Sequence, residues 1–290
     1  MAFGYTTLTI SGSNLGVSTP VELMRSLKTY LTNSLGWSLT EDRSDQAGVN
    51  SKIVLQSNGE DNTASTFYLV MTSGIATVEF QAGTFWNTTT HTVGSGVLTP
   101  STGSNVSLSC AVDKTIKFWA SGDKESITFI ARRALSYDGV HIGRIRSFYP
   151  SSQDPFPIYA IGGSSEATDI DFLTGTSANA NAIFDATSQL GGGECDWDSP
   201  FNNPLGSDQH PDNIFGSTER FTCFPMIAGV SDNSPVRRAI RGFSINIWAT
   251  LGPNTTSMEA EDVFQAADGK TYQVFFNSST SNVALVVRRS

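Results

Sequence analysis

Apolar and polar positions keep a helical rhythm once, near the start of the chain, and from there on follow a period of two. Val21, Met24, Leu27, Leu31 and Leu35 recur at spacings of three and four, which lines them up on one face of a helix. Thr19 offers a hydroxyl N-cap, Pro20 takes the first helical position, and Glu22 stands three residues beyond the cap, so the start reads as a capping box. Gly36 supplies the C-terminal stop. Arg25, Lys28 and Thr32 make the opposite face polar. A single helix of this kind lies on a sheet or against a neighbouring subunit.

The rest of the chain predicts strands. They fall at 51–56, 66–72, 75–81, 114–120, 126–132, 140–145, 158–161, 241–250, 271–277 and 282–288, with a further one beginning at Trp37. The run TFYLVMT is apolar throughout and suits a strand covered on both faces. Ile127, Phe129 and Ala131 alternate with Thr128, Ile130 and Arg132. Ser73-Gly74, Ser121-Gly122-Asp123, Asp138-Gly139 and Asp268-Gly269-Lys270 mark turns, giving a meander of antiparallel hairpins. Residues 87–103 read as an exposed loop, and 165–220 as a loop-dominated excursion rich in Asn, Asp, Ser and Gly. The fold class expected is mainly β: an antiparallel β-sandwich or barrel with one N-terminal amphipathic helix over about 19–35 and a long loop-rich excursion. The expected division is 1–163, 164–220 and 221–290, the last packing on the first. No fixed-period repeat calls for a propeller or solenoid.

Composition agrees with many short strands and turns. Of 290 residues only 16% are charged, below the usual quarter. The net charge of −9 and the lack of a basic run argue against wrapping nucleic acid, which needs clustered Lys and Arg. No stretch of about 20 apolar residues predicts a membrane helix. The opening MAFGYTTLTI lacks a basic and an apolar region and reads as a strand, not a signal peptide. Cys110, Cys195 and Cys223 form no CxxC pair and are odd in number, so reduced thiols are expected. The sequons at Asn87, Asn105, Asn254 and Asn277 read as chance matches in so Asn- and Thr-rich a chain.

Candidate chemistry is sparse. Asp196, Asp198, Asp208 and His210 are the densest set of metal-type ligands, but their spacing matches no EF-hand, zincin or zinc finger; a solvated, turn-forming loop is the competing reading. His91, His141 and His210 come without a G-x-S-x-G elbow, and Gly191-Gly192-Gly193 leads into no phosphate loop. Glu259, Glu261 and Asp262 are a local acidic run. No catalytic residue and no cofactor are therefore expected, and the chain reads as a non-enzyme. Trp86 and Trp197, with Phe85, Phe148 and Tyr149, adjoin predicted loops, where rings can anchor a partner or plug the ends of a core. Arg132, Arg133, Arg144, Arg146, Arg237, Arg238 and Arg241 flank strands and suit ion pairs with a neighbouring subunit's acidic loops, or simply solubilise strand ends.

Three stretches carry a likeness when taken together: Phe118-Trp119 to Ser126-Ile127, Tyr137 to Arg144, and Phe148-Tyr149-Pro150 with Asp154 to Tyr159. With the closing run from Asp268 to Phe275 and the Ala284-Leu285-Val286 strand, they resemble virion structural proteins of long-tailed bacteriophages. The resemblance implies a virion protein made in the host bacterial cytoplasm. It would be a ring or collar subunit at the head–tail junction, bound to its own copies and to connector, sheath or tube proteins. A tail-tip or baseplate adhesin for a host glycan or protein is the first alternative, and an envelope- or capsule-degrading hydrolase the lesser one.

Overall fold

The computed structural model describes residues 3–10, 19–45, 51–59, 66–83, 85–93, 97–98, 106–110, 116–133, 136–147, 158–163, 182–185, 195–198, 224–231, 238–251, 259–276 and 283–290. In chain order they form β1 (Gly4–Ile10), α1 (Thr19–Leu35), β2 (Ser38–Asp42), β3 (Lys52–Ser57), β4 (Phe67–Ser73), β5 (Thr77–Gly83), β6 (Trp86–Asn87), β7 (Thr92–Val93), β8 (Val97–Leu98) and β9 (Val106–Ser109). There follow β10 (Ile116–Gly122), β11 (Ser126–Arg133), β12 (Ser136–Ser147), β13 (Ile158–Gly163), β14 (Ala182–Asp185), β15 (Cys195–Asp198), β16 (Phe224–Ser231), β17 (Arg238–Leu251), β18 (Val263–Gln265), β19 (Thr271–Phe275) and β20 (Val283–Arg288). The protein is mainly β, with antiparallel sheets and one helix near the N-terminus, as the period-two pattern requires.

The helix begins and ends where its caps predict. Gly36 takes φ +70°, and the Trp37 N–H returns to the Leu31 carbonyl. Its buried face is wider than the spacing alone gave, since Leu23 and Tyr30 join Val21, Met24, Leu27, Leu31 and Leu35.

Two sheets sandwich the main core. One is ordered β2-β3-β4-β5, with β8 and β9 on the far edge of β5. The other starts β1-β10-β11-β12. Ile53, Leu55, Leu69, Met71, Val78 and Phe80 of the first meet Phe118, Ala120, Ile127, Phe129, Val140 and Ile142 of the second, together with α1. Phe80 stacks on Phe129 at 5.3 Å between ring centres.

The second sheet then doubles back. β17 pairs with β12 through Gly242–Ser244 and with β20 through Ile247–Leu251, and the order continues β20-β19-β18. This last part lies over the outer face of β1-β10-β11-β12. Phe275 meets Trp119 and Tyr137 edge-on at 5.0 and 5.5 Å, and Leu285 and Val287, on the same side of the sheet as Phe275, are fully buried. The single bent sheet thus supplies two layers of a three-layer stack, which is a sandwich built on a sandwich. A separate apolar cluster, Tyr272, Val274, Ala284 and Val286 with Trp248 and Phe264, lies on the remaining face.

Three expectations are corrected and one is refined. Asp138-Gly139 is no turn: β12 runs through it, and Asp138 is fully buried, taking the Ser109 N–H at 3.1 Å. Ile75 is not in a strand but in the β4–β5 turn. The 87–103 stretch carries strand pieces, with β6 and β7 paired as a small hairpin. Within 165–220 two strands are described, β14 paired to β13 and β15 paired to β16.

Candidate functional site

The outer face of β1-β10-β11-β12 presents three cross-strand rows. They are Tyr5–Ser121–Thr128–His141, Thr7–Trp119–Ile130–Gly139 and Thr9–Lys117–Arg132–Tyr137. Period two puts all twelve on one side; the overlying layer hydrogen-bonds to the first and third rows and packs Phe275 against Trp119 of the second. Ser121 donates to the Arg288 carbonyl and Tyr5 to Gln273 Oε1. Glu261 takes Lys117 Nζ at 2.7 Å, Arg132 Nη1 at 2.8 Å and the Tyr137 hydroxyl at 2.9 Å. Burial works against the charge on Glu261, but the bonds from Lys117 and Tyr137 and the Arg132 charge prevail and hold its carboxyl below its ordinary value. Burial, reinforced by Glu261, pushes the Tyr137 hydroxyl up to about 12. Glu261 sits at φ +75°, a conformation seldom adopted without glycine.

A second polar group marks the bend. Asp123 Oδ1 takes the N–H groups of Glu125 and Ser126, closing the β10–β11 turn, while its Oδ2 takes Asn246 Nδ2 at 2.6 Å. Asn246, at φ +64°, separates the part of β17 that pairs with β12 from the part that pairs with β20. Trp37 Nε1 donates to the Asp123 carbonyl, tying the helix end to the same turn.

The third group holds the β6–β7 hairpin on the outside of the smaller sheet. Trp86 packs on Val54 and Val70, and its indole N–H donates to Glu41 Oε2 at 3.0 Å. Glu41 Oε1 lies 2.8 Å from His91 Nδ1, and Lys52 Nζ donates to the His91 carbonyl. Lys52 also stands 5.5 Å from the centre of the Trp86 ring.

Deeper groups are inert by burial. His141 is fully enclosed, shares a 2.8 Å hydrogen bond with Thr128 Oγ1, and is lowered to about 3 by desolvation. Burial, then the Asp138 charge, pushes the Cys110 thiol up to about 12, out of the nucleophilic range.

Of the residues singled out by sequence, Arg132 is engaged with Glu261, and Arg144 lies 3.4 Å from Glu125 Oε2, both within the chain. Arg146 is exposed. Trp86 is 4% exposed and so offers no open ring, whereas its neighbour Phe85 is 54% exposed. Arg133, Arg238 and Arg241 lie in strands, as do Asp196, Trp197 and Asp198, but their side chains are outside the described residues. Arg237, Asp208, His210, Phe148 and Tyr149 also lie outside them. Among the described residues no three His, Cys, Asp or Glu side chains gather to hold a metal ion, and no helix is long and apolar enough to cross a membrane. The Glu261 cluster and the Asp123–Asn246 pair are not legible in the sequence, because the bonds from Glu261 to Tyr137 and from Asn246 to Asp123 each span more than 100 residues of chain.

The surface left open is apolar at separate points. Leu39 on β2 is 47% exposed, Ile75 in the β4–β5 turn 76%, Phe85 beside β6 54%, and Val263 on β18 45%. No family model and no curated protein sequence matches this chain.

Proposed function

We propose that this chain is an assembly subunit, acting through contacts with its neighbours. In particular, we read it as a structural protein of a tailed bacteriophage virion, a ring or collar component at the head–tail junction that meets its own copies and connector, sheath or tube proteins. The observation that carries the reading is the placement of the exposed apolar side chains. Leu39 and Val263 sit on the terminal strands of the sheet orders, and Ile75 and Phe85 at or beside turns, where neighbouring subunits touch. The described polar clusters are spent on joining layers of the fold. Repeated head-to-tail contact through such points closes a ring when the rotation between copies is right. The resemblance of the strand-and-turn stretches to long-tailed phage virion proteins supplies the setting.

The test is a symmetric reconstruction of particles produced from the genome that encodes the chain. Copies ringed about the tail axis beneath the head are expected. Copies found only on distal fibres would overturn the neck assignment and favour the adhesin reading. That reading draws on Phe85 and the exposed Thr88, Thr89 and Thr90 beside it, a ring and hydroxyls of the kind that meet sugars. A Phe85→Ala particle that assembles but no longer adsorbs to host cells would support it.

A further inference from the structure

The terminal strands of the two sheets are not equally guarded. β2 carries Glu41 and Asp42, with Arg43 next to it, and a register shift between Leu39 and Glu41 interrupts its ladder. β18 has three residues and follows Asp262. Short length, charge and bulges are the usual means of keeping an edge from pairing with another chain. β1 has none of them. It runs for seven residues, GYTTLTI, without a charge, a proline or a break in its register with β10. Its second edge is unpaired among the described residues. The helix does not cover that edge: a Cβ built on Gly4, which would stand perpendicular to the sheet, meets Leu35 Cδ2 and the Tyr30 hydroxyl, so α1 lies on the face.

We infer that β1 is a self-association edge, pairing antiparallel with β1 of a second copy about a twofold axis at Thr7. Charge and sequence select this occupant. Two copies each of net charge −9 repel over most of their surfaces, but no like charges face each other along β1. In the Thr7-centred register Tyr5 lies opposite Thr9, and Leu8 opposite Thr6. These are aromatic–Thr and aliphatic–Thr pairs suited to a pleated surface. Leu8, half-buried in one copy, is covered by the partner, and the free N–H and C=O groups of both edges are satisfied. The twofold contact is distinct from the head-to-tail contact of a ring and holds whether or not the chain belongs to a virion.

The test uses the full chain. Light scattering on a size-exclusion column is expected to give dimers at micromolar concentration. Thr7→Lys sets two ammonium groups face to face at the axis. It should weaken association at least about tenfold while leaving the thermal midpoint of the separated subunit in place, since Thr7 is exposed. Thr7→Cys should form an interchain disulfide under mild oxidation, because directly opposed Cα atoms in antiparallel strands fall within disulfide reach. The wild-type chain and Thr29→Cys, on the exposed side of α1, should not cross-link. A monomeric wild type, a Thr7→Lys protein that dimerises as before, or cross-linking at Thr29 as readily as at Thr7 would each overturn the inference. A ring that assembles from Thr7→Lys subunits would overturn it too, if the wild type forms that ring through the same dimers.

Discussion

Asn246 donates from Nδ2 to Asp123 Oδ2 across 2.6 Å, and through that bond the bend of β17 is fixed to the β10–β11 turn. The contact joins positions 123 residues apart and sets where the outer layer begins to fold over the inner one.

Replacing Asn246 separates the two demands on that position. Asn246→Gly keeps the left-handed backbone and loses the bond, whereas Asn246→Ala loses the bond and adds the steric cost of φ +64°. Both variants leave the Asp123 carboxylate short of a donor, a cost of about 1–3 kcal/mol. Urea unfolding should place Asn246→Ala below Asn246→Gly by roughly 1 kcal/mol. Equal midpoints would mean that the backbone there is not strained.

Glu261 predicts an acid-sensitive outer layer. Its folded-state value lies below the ordinary 4.5, so its contribution is fully present above that pH and is lost as pH falls through the lowered value. Amide protection at 271–275 and 283–288, corrected for the intrinsic exchange rate at each pH, should fall on acidification before it does in β3 and β4. Glu261→Gln keeps an acceptor for Tyr137 but loses both ion pairs, and should flatten this acid dependence.

What the sequence disclosed follows the range of the forces involved. The helix was legible from Thr19 to Gly36, because caps and an apolar stripe act within a turn or two. Ile127, Phe129 and Ala131, which alternate with Thr128, Ile130 and Arg132, form the face of β11 in the main core, a choice of face that the alternation by itself does not make. Asp138-Gly139 misled because a local turn signal lost to a distant donor: the Ser109 N–H makes a buried carboxylate tolerable in mid-strand. Trp86 reads as a loop ring in the sequence, and it is the half-buried Glu41, 45 residues away, that takes its N–H. The Glu261 and Asp123 groups depend on how the layers stack, which period-two patterning does not encode.

The Trp119 site should show how much the two layers of the bent sheet depend on each other. Its ring is buried against Tyr137 and Phe275, with Lys117 Nζ 4.6 Å from its centre. Trp119→Ala should cost about 3–5 kcal/mol, the range for a large ring removed from a core. Trp119→Phe should cost less than half of that. Near-ultraviolet circular dichroism should show Trp119→Ala losing the packing of the outer layer. A variant with an unchanged spectrum and midpoint would mean that the layers do not close on this ring.

His141 gives the sharpest pH signature. Burial lowers its folded-state value to about 3, while in the unfolded chain it returns to about 6.5. Between those values the unfolded state binds a proton that the folded state refuses, so stability is full above pH 6.5 and declines as pH falls toward 3. The sign matches that of Glu261, but the window opens two units higher, so the effects separate on a pH series. His141→Gln retains a polar partner for Thr128 and cannot be protonated. Its unfolding free energy in urea should be lower than wild type at pH 7.5, because the amide fits the imidazole's space poorly. From pH 6.5 to 5 the wild-type curve should bend downward while the variant's stays level. Parallel curves through that interval would show that the imidazole gains a proton inside the folded protein.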